Sequence, residues 1–414
     1  MDYKEVIALR KAFNSVKQRQ HLNFTEDLLE MKQILRKSRE LCVGNEELLK
    51  KSVDNLTNNR IEVHLIKQKQ DVINFIVEEI GKEKLIVKSK SNVTKEIELT
   101  KTLEKKGINV VETDIGDRIL QILDTHPSHP TGPVAHLSAG DIAKGLSTYY
   151  NISIKGDPDE IVKIVRSDII SNIDKAKIGI TGANAITADE GSILMTHNEG
   201  NIQEVIRKDK CIIITSIDKI YPNIESAINM IKILSFNATG SKIPSFINII
   251  NGISKTADVE KKFITGIHNP SKIILLLLDN KRSELVERGF KELLQCIGCG
   301  NCLVYCPMYN TVGNQYAIDN YLGGKGIAYY SLCNNLDKNN VNNNDINNDY
   351  ISKKLELCLT CGKCKENCPL ELDIPEIIKK IRSKGISEDI YYFLKSHLIW
   401  VYYQTLLKSK LLIK

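Results

Sequence analysis

Cys296-Ile-Gly-Cys299-Gly-Asn-Cys302-Leu-Val-Tyr-Cys306-Pro307 and Cys358-Leu-Thr-Cys361-Gly-Lys-Cys364-Lys-Glu-Asn-Cys368-Pro369 are two copies of one pattern, C-x2-C-x2-C-x3-C-P. Three thiolates spaced this closely wrap a loop around three corners of a cuboidal cluster, and the fourth must come from elsewhere. In chains with two such runs, the fourth cysteine of each ligates the other run's cluster. The spacing therefore predicts two [4Fe-4S] clusters. Cys296, Cys299, Cys302 and Cys368 would hold one, and Cys358, Cys361, Cys364 and Cys306 the other, which uses eight of the eleven cysteines. Glycines at 298, 300 and 362 let the backbone pass close to the sulfides, and each proline ends its run and turns the chain away. Paired C-x2-C units also build structural zinc sites. Zinc requires neither a third cysteine at the same spacing nor a fourth followed by proline, and here the whole pattern occurs twice.

Upstream of the first run, Leu285, Val286, Phe290, Leu293 and Leu294 share one face of a predicted helix that sets the cysteines against whatever precedes them. That preceding part is a long alternation of β-branched runs with helix-like segments. The runs are Ile61–Ile66, Lys84–Lys88, Ile108–Thr113, Ile178–Thr181, Ser192–Met195, Cys211–Thr215, Ser245–Ile249 and Lys272–Leu278. Segments such as Ile161–Ile173 and Ile224–Leu234 are long enough to cross over between parallel strands. The fold class expected is thus α/β, with a mostly parallel sheet over residues 59–280 and a mostly helical ferredoxin-like domain over 281–385. Residues 1–58 are charged and helix-like, a stripe of Leu28, Leu29, Met31, Ile34 and Leu35 marking them as a cover for the sheet. Cys42 and Cys211 are expected in the core, and Cys333 as a spare thiol.

Between the cysteine runs, nine of the sixteen residues 334–349 are asparagine, a composition with too little apolar surface to pack, so an exposed insertion loop is expected. Beyond the second run, Asp373 can cap a helix carrying Ile374, Ile377, Ile378 and Ile381 at helical spacing. The tail 386–414 is aromatic and basic. It suits docking on protein or peripheral contact with a membrane surface, and is too short between charges to span one.

With 57 basic and 51 acidic residues, the net charge of +6 is too mild to argue for nucleic acid, and no arginine-rich arm supports it. The opening Met-Asp-Tyr-Lys-Glu lacks the order of a secretory signal, and metal-type cysteine spacing suits a reducing compartment, so a soluble, cytoplasmic protein is expected.

Ligands of parallel sheets bind where strands end at their carboxyl side. Two loops there carry candidate groups. Thr125-His-Pro-Ser-His-Pro-Thr-Gly-Pro-Val-Ala-His136 has three histidines and three prolines in twelve residues, making His129 and His136 candidates. The second stretch, Gly179 to Ser192 and Thr196 to Asn201, is rich in small residues that allow close backbone approach and offers Asn184, Asp189, Glu190, Asn198, Glu199 and Asn201. Neither a G-x-G-x-x-G nor a Walker lysine motif is present.

Val87-Lys-Ser-Lys-Ser-Asn-Val-Thr-Lys-Glu-Ile97, Val111-Glu-Thr-Asp-Ile-Gly116, Pro127-Ser-His129, Thr181-Gly-Ala-Asn184, Asn198-Glu-Gly-Asn201 and Ala238-Thr-Gly240 resemble the lactate-utilisation (LUD) domain. The cysteine runs follow it as in the iron-sulfur subunit of L-lactate oxidation complexes, so the resemblance covers roughly residues 60 to 385. It implies a fold similar to the sugar-phosphate isomerase and CoA-transferase superfamily, electron transfer in oxidation of L-lactate or a related small organic acid, and two partner subunits. One partner would bear cysteine-rich CCG motifs and the other a second LUD domain. The chain departs from the family at Ala188-Asp189-Glu190-Gly191, where Ala-Glu-Thr-Gly is usual, and after Asn201, where Ile-Gln-Glu-Val replaces Ala-Arg-Leu. Both departures fall in the expected binding region.

Overall fold

The computed structural model describes residues 3–334 and 345–383. Three helices lead in: α1 (Tyr3–Asn23), α2 (Asp27–Cys42) and α3 (Glu46–Asn58). The chain then alternates through β1 (Glu62–Ile66), α4 (Lys69–Ile80), β2 (Leu85–Lys88), α5 (Asn92–Glu96), α6 (Leu99–Lys105), β3 (Asn109–Glu112), α7 (Ile115–Leu123), α8 (Ala139–Tyr150), α9 (Pro158–Lys175) and β4 (Ile178–Gly182). It continues through β5 (Ala185–Thr187), β6 (Ile193–His197), α10 (Asn201–Ile206), β7 (Lys210–Ser216), β8 (Ile220–Tyr221), α11 (Ile224–Thr239), β9 (Phe246–Ile250), a minor hairpin of β10 (Lys255–Thr256) and β11 (Ile264–Thr265), and β12 (Lys272–Leu278).

Six strands form one parallel sheet in the order β1-β12-β7-β4-β2-β3. Its central strands read as continuous apolar runs because both faces are buried. On one face Ile86, Ile178, Ile180, Ile212, Ile214, Ile274 and Leu276 pack under Val72, Ile76, Leu99 and Leu103 of α4 and α6. On the other, Cys211, Ile213, Ile273, Leu275 and Leu277 meet Leu56 of α3 and Ile186, Ile193 and Ile220 of a smaller sheet, while Val87 and Val111 meet α7 to α9.

That smaller sheet corrects the expectation of a single one. The runs at Ser192–Met195 and Ser245–Ile249 leave the parallel sheet and lie in a four-stranded sheet ordered β8-β5-β6-β9, in which β6 pairs antiparallel with both β5 and β9. The short link Ala188–Ser192 permits only a hairpin, since a parallel neighbour needs a crossover of about a dozen residues.

The N-terminal helices do more than cover a sheet. α3 packs on both sheets, and α2 reaches the smaller one at β8. Leu9 and Phe13 of α1 and Leu28 and Leu35 of α2 join α11 and the cysteine-bearing region in one apolar cluster with Leu293, Leu303, Tyr309, Ile327 and Ile377. The first 42 residues are thus a bridge, because their apolar faces match α11 and the helices beyond residue 290.

The helix expected before the first cysteine run is two short ones, α12 (Arg282–Glu287) and α13 (Lys291–Leu294), broken at Gly289, whose φ of +80° suits glycine. Next come α14 (Asn301–Val304), α15 (Tyr309–Val312), α16 (Gly323–Asn334), α17 (Asp345–Glu356), α18 (Lys363–Glu366) and α19 (Ile374–Ser383). Asp373 caps α19 through the Glu376 amide at 3.1 Å. The end of the asparagine tract is helical from Asp345, while its residues 335–344 and the tail from 384 lie outside the described residues. Among the described residues no helix is long and apolar enough to cross a membrane.

Candidate functional site: two cysteine quartets and an adjoining cavity

Each cysteine run folds the same way. A glycine in the left-handed region, Gly300 at φ +76° or Gly362 at +78°, starts a one-turn helix, α14 or α18, and Gly298 at +76° adds a second reversal in the first run. The runs are tied together by protein atoms. The buried Asn301 amide donates to the Asn367 carbonyl at 2.6 Å and to Asn237 Oδ1 of α11 at 3.2 Å, and its Oδ1 accepts from Gln20 of α1 at 2.9 Å.

None of the cysteines forms a disulfide. Their electrostatic surroundings sort the eight into two groups. Cys299 is influenced by Cys368 and Cys296, Cys302 by Cys296, Cys299 and Cys368, and Cys368 by Cys296. Cys306 is influenced by Cys358 and Cys361, and Cys364 by Cys358, Cys306 and Cys361. A weaker influence of Cys364 on Cys302 marks the groups as neighbours. Burial, and then the charge of its companions, pushes the Cys364 thiol up to about 12; burial first also lifts Cys368, to about 11.

Thiols gathered so that each discourages its neighbour's ionisation fit a polynuclear cationic centre that takes all of them as thiolates. A second observation supports that fit. Tyr316 Oη is buried with no partner in hydrogen-bonding geometry, beside Cys358, and its residue lines a cavity with Cys302, Cys306, Cys358, Cys361 and Cys364. Gly324, against the same hydroxyl, leaves that space open; an added Cβ would stand 2.9 Å from it. The first group is the more enclosed, with Cys299 7% exposed, whereas Cys361 lies at the surface beside Leu359, 60% exposed.

A larger cavity, of about 440 Å³, opens between the carboxyl ends of β2, β3, β4 and β7 and the first cysteine loop. Lys90, Asp114, Asn184 and Asp218 come from the strand ends, Asn198, Glu199, Asn201 and Ile202 from the turn into α10, and Lys325 and Tyr329 from α16. Cys296, Gly298, Gly300 and Cys302 form the opposite wall. Lys90 Nζ pairs with Asp114 at 2.6 Å. Burial works against its charge, but Asp114 and Asp117 outweigh this and hold the ammonium above its usual value. Protein packed around Glu199, and then the charge of Asp114, raise its carboxyl above the usual range; its outer edge stays open to solvent. Lys219 Nζ donates to the Cys296 carbonyl at 3.0 Å and pairs with Asp218 at 3.3 Å.

Four of the expected site residues, Asn184, Asn198, Glu199 and Asn201, therefore line one cavity. Asp189 and Glu190 do not. Asp189 pairs with Lys51 at 2.7 Å, and both Glu190 oxygens accept the Ile224 amide at 3.2 Å, capping α11. The first departure from the family pattern accordingly lies away from the cavity, while Ile202 of the second is in its lining.

His129 is buried. Its Nδ1 accepts the Thr131 and Gly132 amides at 3.3 Å, and its Nε2 abuts Gly300. Burial lowers its pKa to about 4, which keeps the ring neutral, so its place is in fitting the histidine loop to the cysteine loop. His136 is buried with Nδ1 2.9 Å from Ser128 Oγ. Cys42 and Cys211 are buried, and Cys333, near the end of α16, is half-buried. Sequence reading missed Lys90, Asp114, Asp218, Lys219 and Lys325. The available signal was position: the first four directly follow strands.

The LUD domain family matches residues 49–278. The chain belongs to the LUD domain family. A 4Fe-4S dicluster domain matches residues 292–372, so this LUD protein carries an iron-sulfur region behind its α/β part. Lactate utilization protein B of Bacillus cytotoxicus is 30% identical over 340 residues, covering 81% of this chain and 67% of its own length. Lactate utilization protein B 1 of Bacillus mycoides is 31% identical, covering 81% and 66%, and lactate utilization protein B of Lysinibacillus sphaericus is 31% identical, covering 80% and 66%. The chain thus spans about two thirds of the length of the curated relatives it matches. A crystal structure of a DUF162 family protein from Deinococcus radiodurans covers 56% of this chain and 97% of its own at 12% identity and a TM-score of 0.31, a superposition too loose to bear on the site.

Proposed function

We propose that this chain is the electron-transfer subunit of a lactate-utilisation system, acting in the oxidation of L-lactate or a related small organic acid. It would work with a CCG-containing subunit and a second LUD-domain subunit, in the cytoplasm. Residues 59–280 form the LUD unit on this reading, 281–385 the cluster-binding unit, and 1–58 a helical cover whose first two helices also reach the cluster-binding unit. Two [4Fe-4S] clusters are held, one by Cys296, Cys299, Cys302 and Cys368 and one by Cys306, Cys358, Cys361 and Cys364. The sorting of the eight thiols supports this pairing. Each bound cluster accepts and releases one electron.

The observation that carries the reading is the shared wall. Cys296 and Cys302 face the same cavity as Asn184, Asn198, Glu199 and Asn201, so a small acid bound at the strand ends lies against the first quartet. The protein's own contribution there is to bind and orient. Asparagine amides offer hydrogen bonds to hydroxyl and carboxylate oxygens, and the apolar wall of Leu293, Leu294 and Ile297 limits water. The outer quartet, with Cys361 exposed, is the one that a partner subunit would reach.

Anaerobically prepared protein should contain about eight iron and eight acid-labile sulfide per chain. Zinc without sulfide would overturn the cofactor assignment. In the purified complex, L-lactate should bleach the cluster absorption; reduction by dithionite but by no hydroxy acid would remove the proposed substrate and leave the clusters standing.

A further inference from the structure

The cavity is electrically uneven. Two acidic groups, the exposed Glu199 and the buried Asp114, lie at the strand-end rim, with Lys90 paired to Asp114. Its other end, against the cysteine loop, is cationic. Lys219 lies there, held by the Cys296 carbonyl and Asp218, and Lys325 of α16 lines the same cavity.

Lys325 is the unusual member. Lys90, Lys95 and Lys219 each have a carboxylate within 3.3 Å, and Arg282 has two. Lys325 has no carboxylate partner among the described residues; its ammonium lies 4.9 Å from the Tyr329 ring centre and its residue lines the cavity. Two ammonium groups lining one cavity, one of them without a carboxylate partner among the described residues, suit an anion. The acidic rim repels a carboxylate and accepts hydrogen bonds, so a ligand with a carboxylate at one end and a hydroxyl at the other has one favoured direction.

We propose that Lys325 and Lys219 anchor the carboxylate of a small organic acid at the cysteine end of this cavity, turning its hydroxyl-bearing carbon toward Asn184 and Asn201. This rests on the reading of the cavity as a small-acid site. The direction matters because it lays the acid along the wall that Cys296 shares.

The test uses the full chain with its clusters loaded, titrated anaerobically with L-lactate and with pyruvate by calorimetry, alongside a redox titration followed by electron paramagnetic resonance. In Lys325→Gln both acids should bind at least tenfold more weakly, and the salt dependence seen for the parent chain should flatten. Lys325→Arg, which keeps the charge, should stay within about threefold of the parent. Unchanged affinities in Lys325→Gln with displaced cluster potentials would overturn the inference and assign the lysine to the clusters. Absence of binding in the parent chain would overturn it too, while iron and sulfide content still reports on the clusters independently. Lysine-dependent binding by a chain whose clusters lactate never reduces, even in the complex, would support the anchor and refute the proposed substrate. Because Lys219 also holds the Cys296 loop, the Lys325 variants carry the decision.

Discussion

Replacing Arg282 by Met should expose how firmly the two halves of this protein are joined. The guanidinium, 6% exposed, donates to Asp218 at 2.6 Å, to both oxygens of Glu96 at 2.7 and 3.1 Å, and to the Asp279 carbonyl at 3.0 Å. Methionine fills similar space and leaves both carboxylates behind. Asp218 keeps Lys219 at 3.3 Å and Arg39 at 3.8 Å, but Glu96 keeps only neutral donors, Asn280 at 2.6 Å and Tyr329 at 3.3 Å. Breaking a buried pair by removing one partner costs about 3–5 kcal/mol. With one carboxylate still compensated, the lower end applies, and at about 2 °C per kcal/mol the melting midpoint should fall by about 6 °C. The sign of the pH dependence follows from the carboxylates. Burial opposes the Asp218 charge, yet Lys219, Arg282 and Arg39 outweigh it and hold the carboxyl below its usual range. That stabilisation is present above the ordinary carboxylate pKa and is lost as pH falls through the native value. In the variant the stranded carboxylates protonate more readily, so its deficit should be widest near neutrality and shrink toward about pH 4. The assay is thermal unfolding of cluster-loaded protein across that pH range, with Arg282→Met/Glu96→Gln as the companion that should regain part of the loss. A fall below about 2 °C at neutral pH, or a deficit indifferent to acid, would refute the reasoning.

Tyr316→Phe removes the unpartnered hydroxyl beside Cys358, which is free to donate to a sulfur; loss of one net hydrogen bond of about 1 kcal/mol should lower the potential of the outer cluster by roughly 40 mV and leave the inner one in place. A shift confined to the inner cluster would contradict the assignment. Gly300→Ala places a Cβ at φ +76° and into His129 Nε2 and Pro130, so iron content should drop toward the outer cluster alone; full loading would mean that the histidine loop yields more easily than its burial suggests.

The iron-sulfur region was legible because ligand spacing is a local property: three residues set the reach between thiols whatever surrounds them. The six parallel strands were legible for a related reason, since continuous runs such as Ile273 to Leu278 have no comfortable exposed face. The small sheet was not separated from the large one, although the brevity of the Ala188–Ser192 link excluded a crossover. The site was half legible. Asn184 and Asn198 to Asn201 sit where polar loop residues at strand ends were expected, but Asp189 and Glu190, only a few residues from Asn184, are carried by the hairpin to α3 and the start of α11. Lysines at 90, 219 and 325 come from three distant elements, and nothing local to any one of them announces a common cavity.

Asn301 has a consequence for the life of the cofactor. Its amide already fastens the second run to the first through the Asn367 carbonyl, next to Cys368, while α1 and α11 grip it from the other side. Peptide and amide groups thus hold the two runs side by side in addition to any cluster they share. The hold on the centre therefore reaches beyond its thiols to α1 and α11, through a side chain that is not itself a ligand.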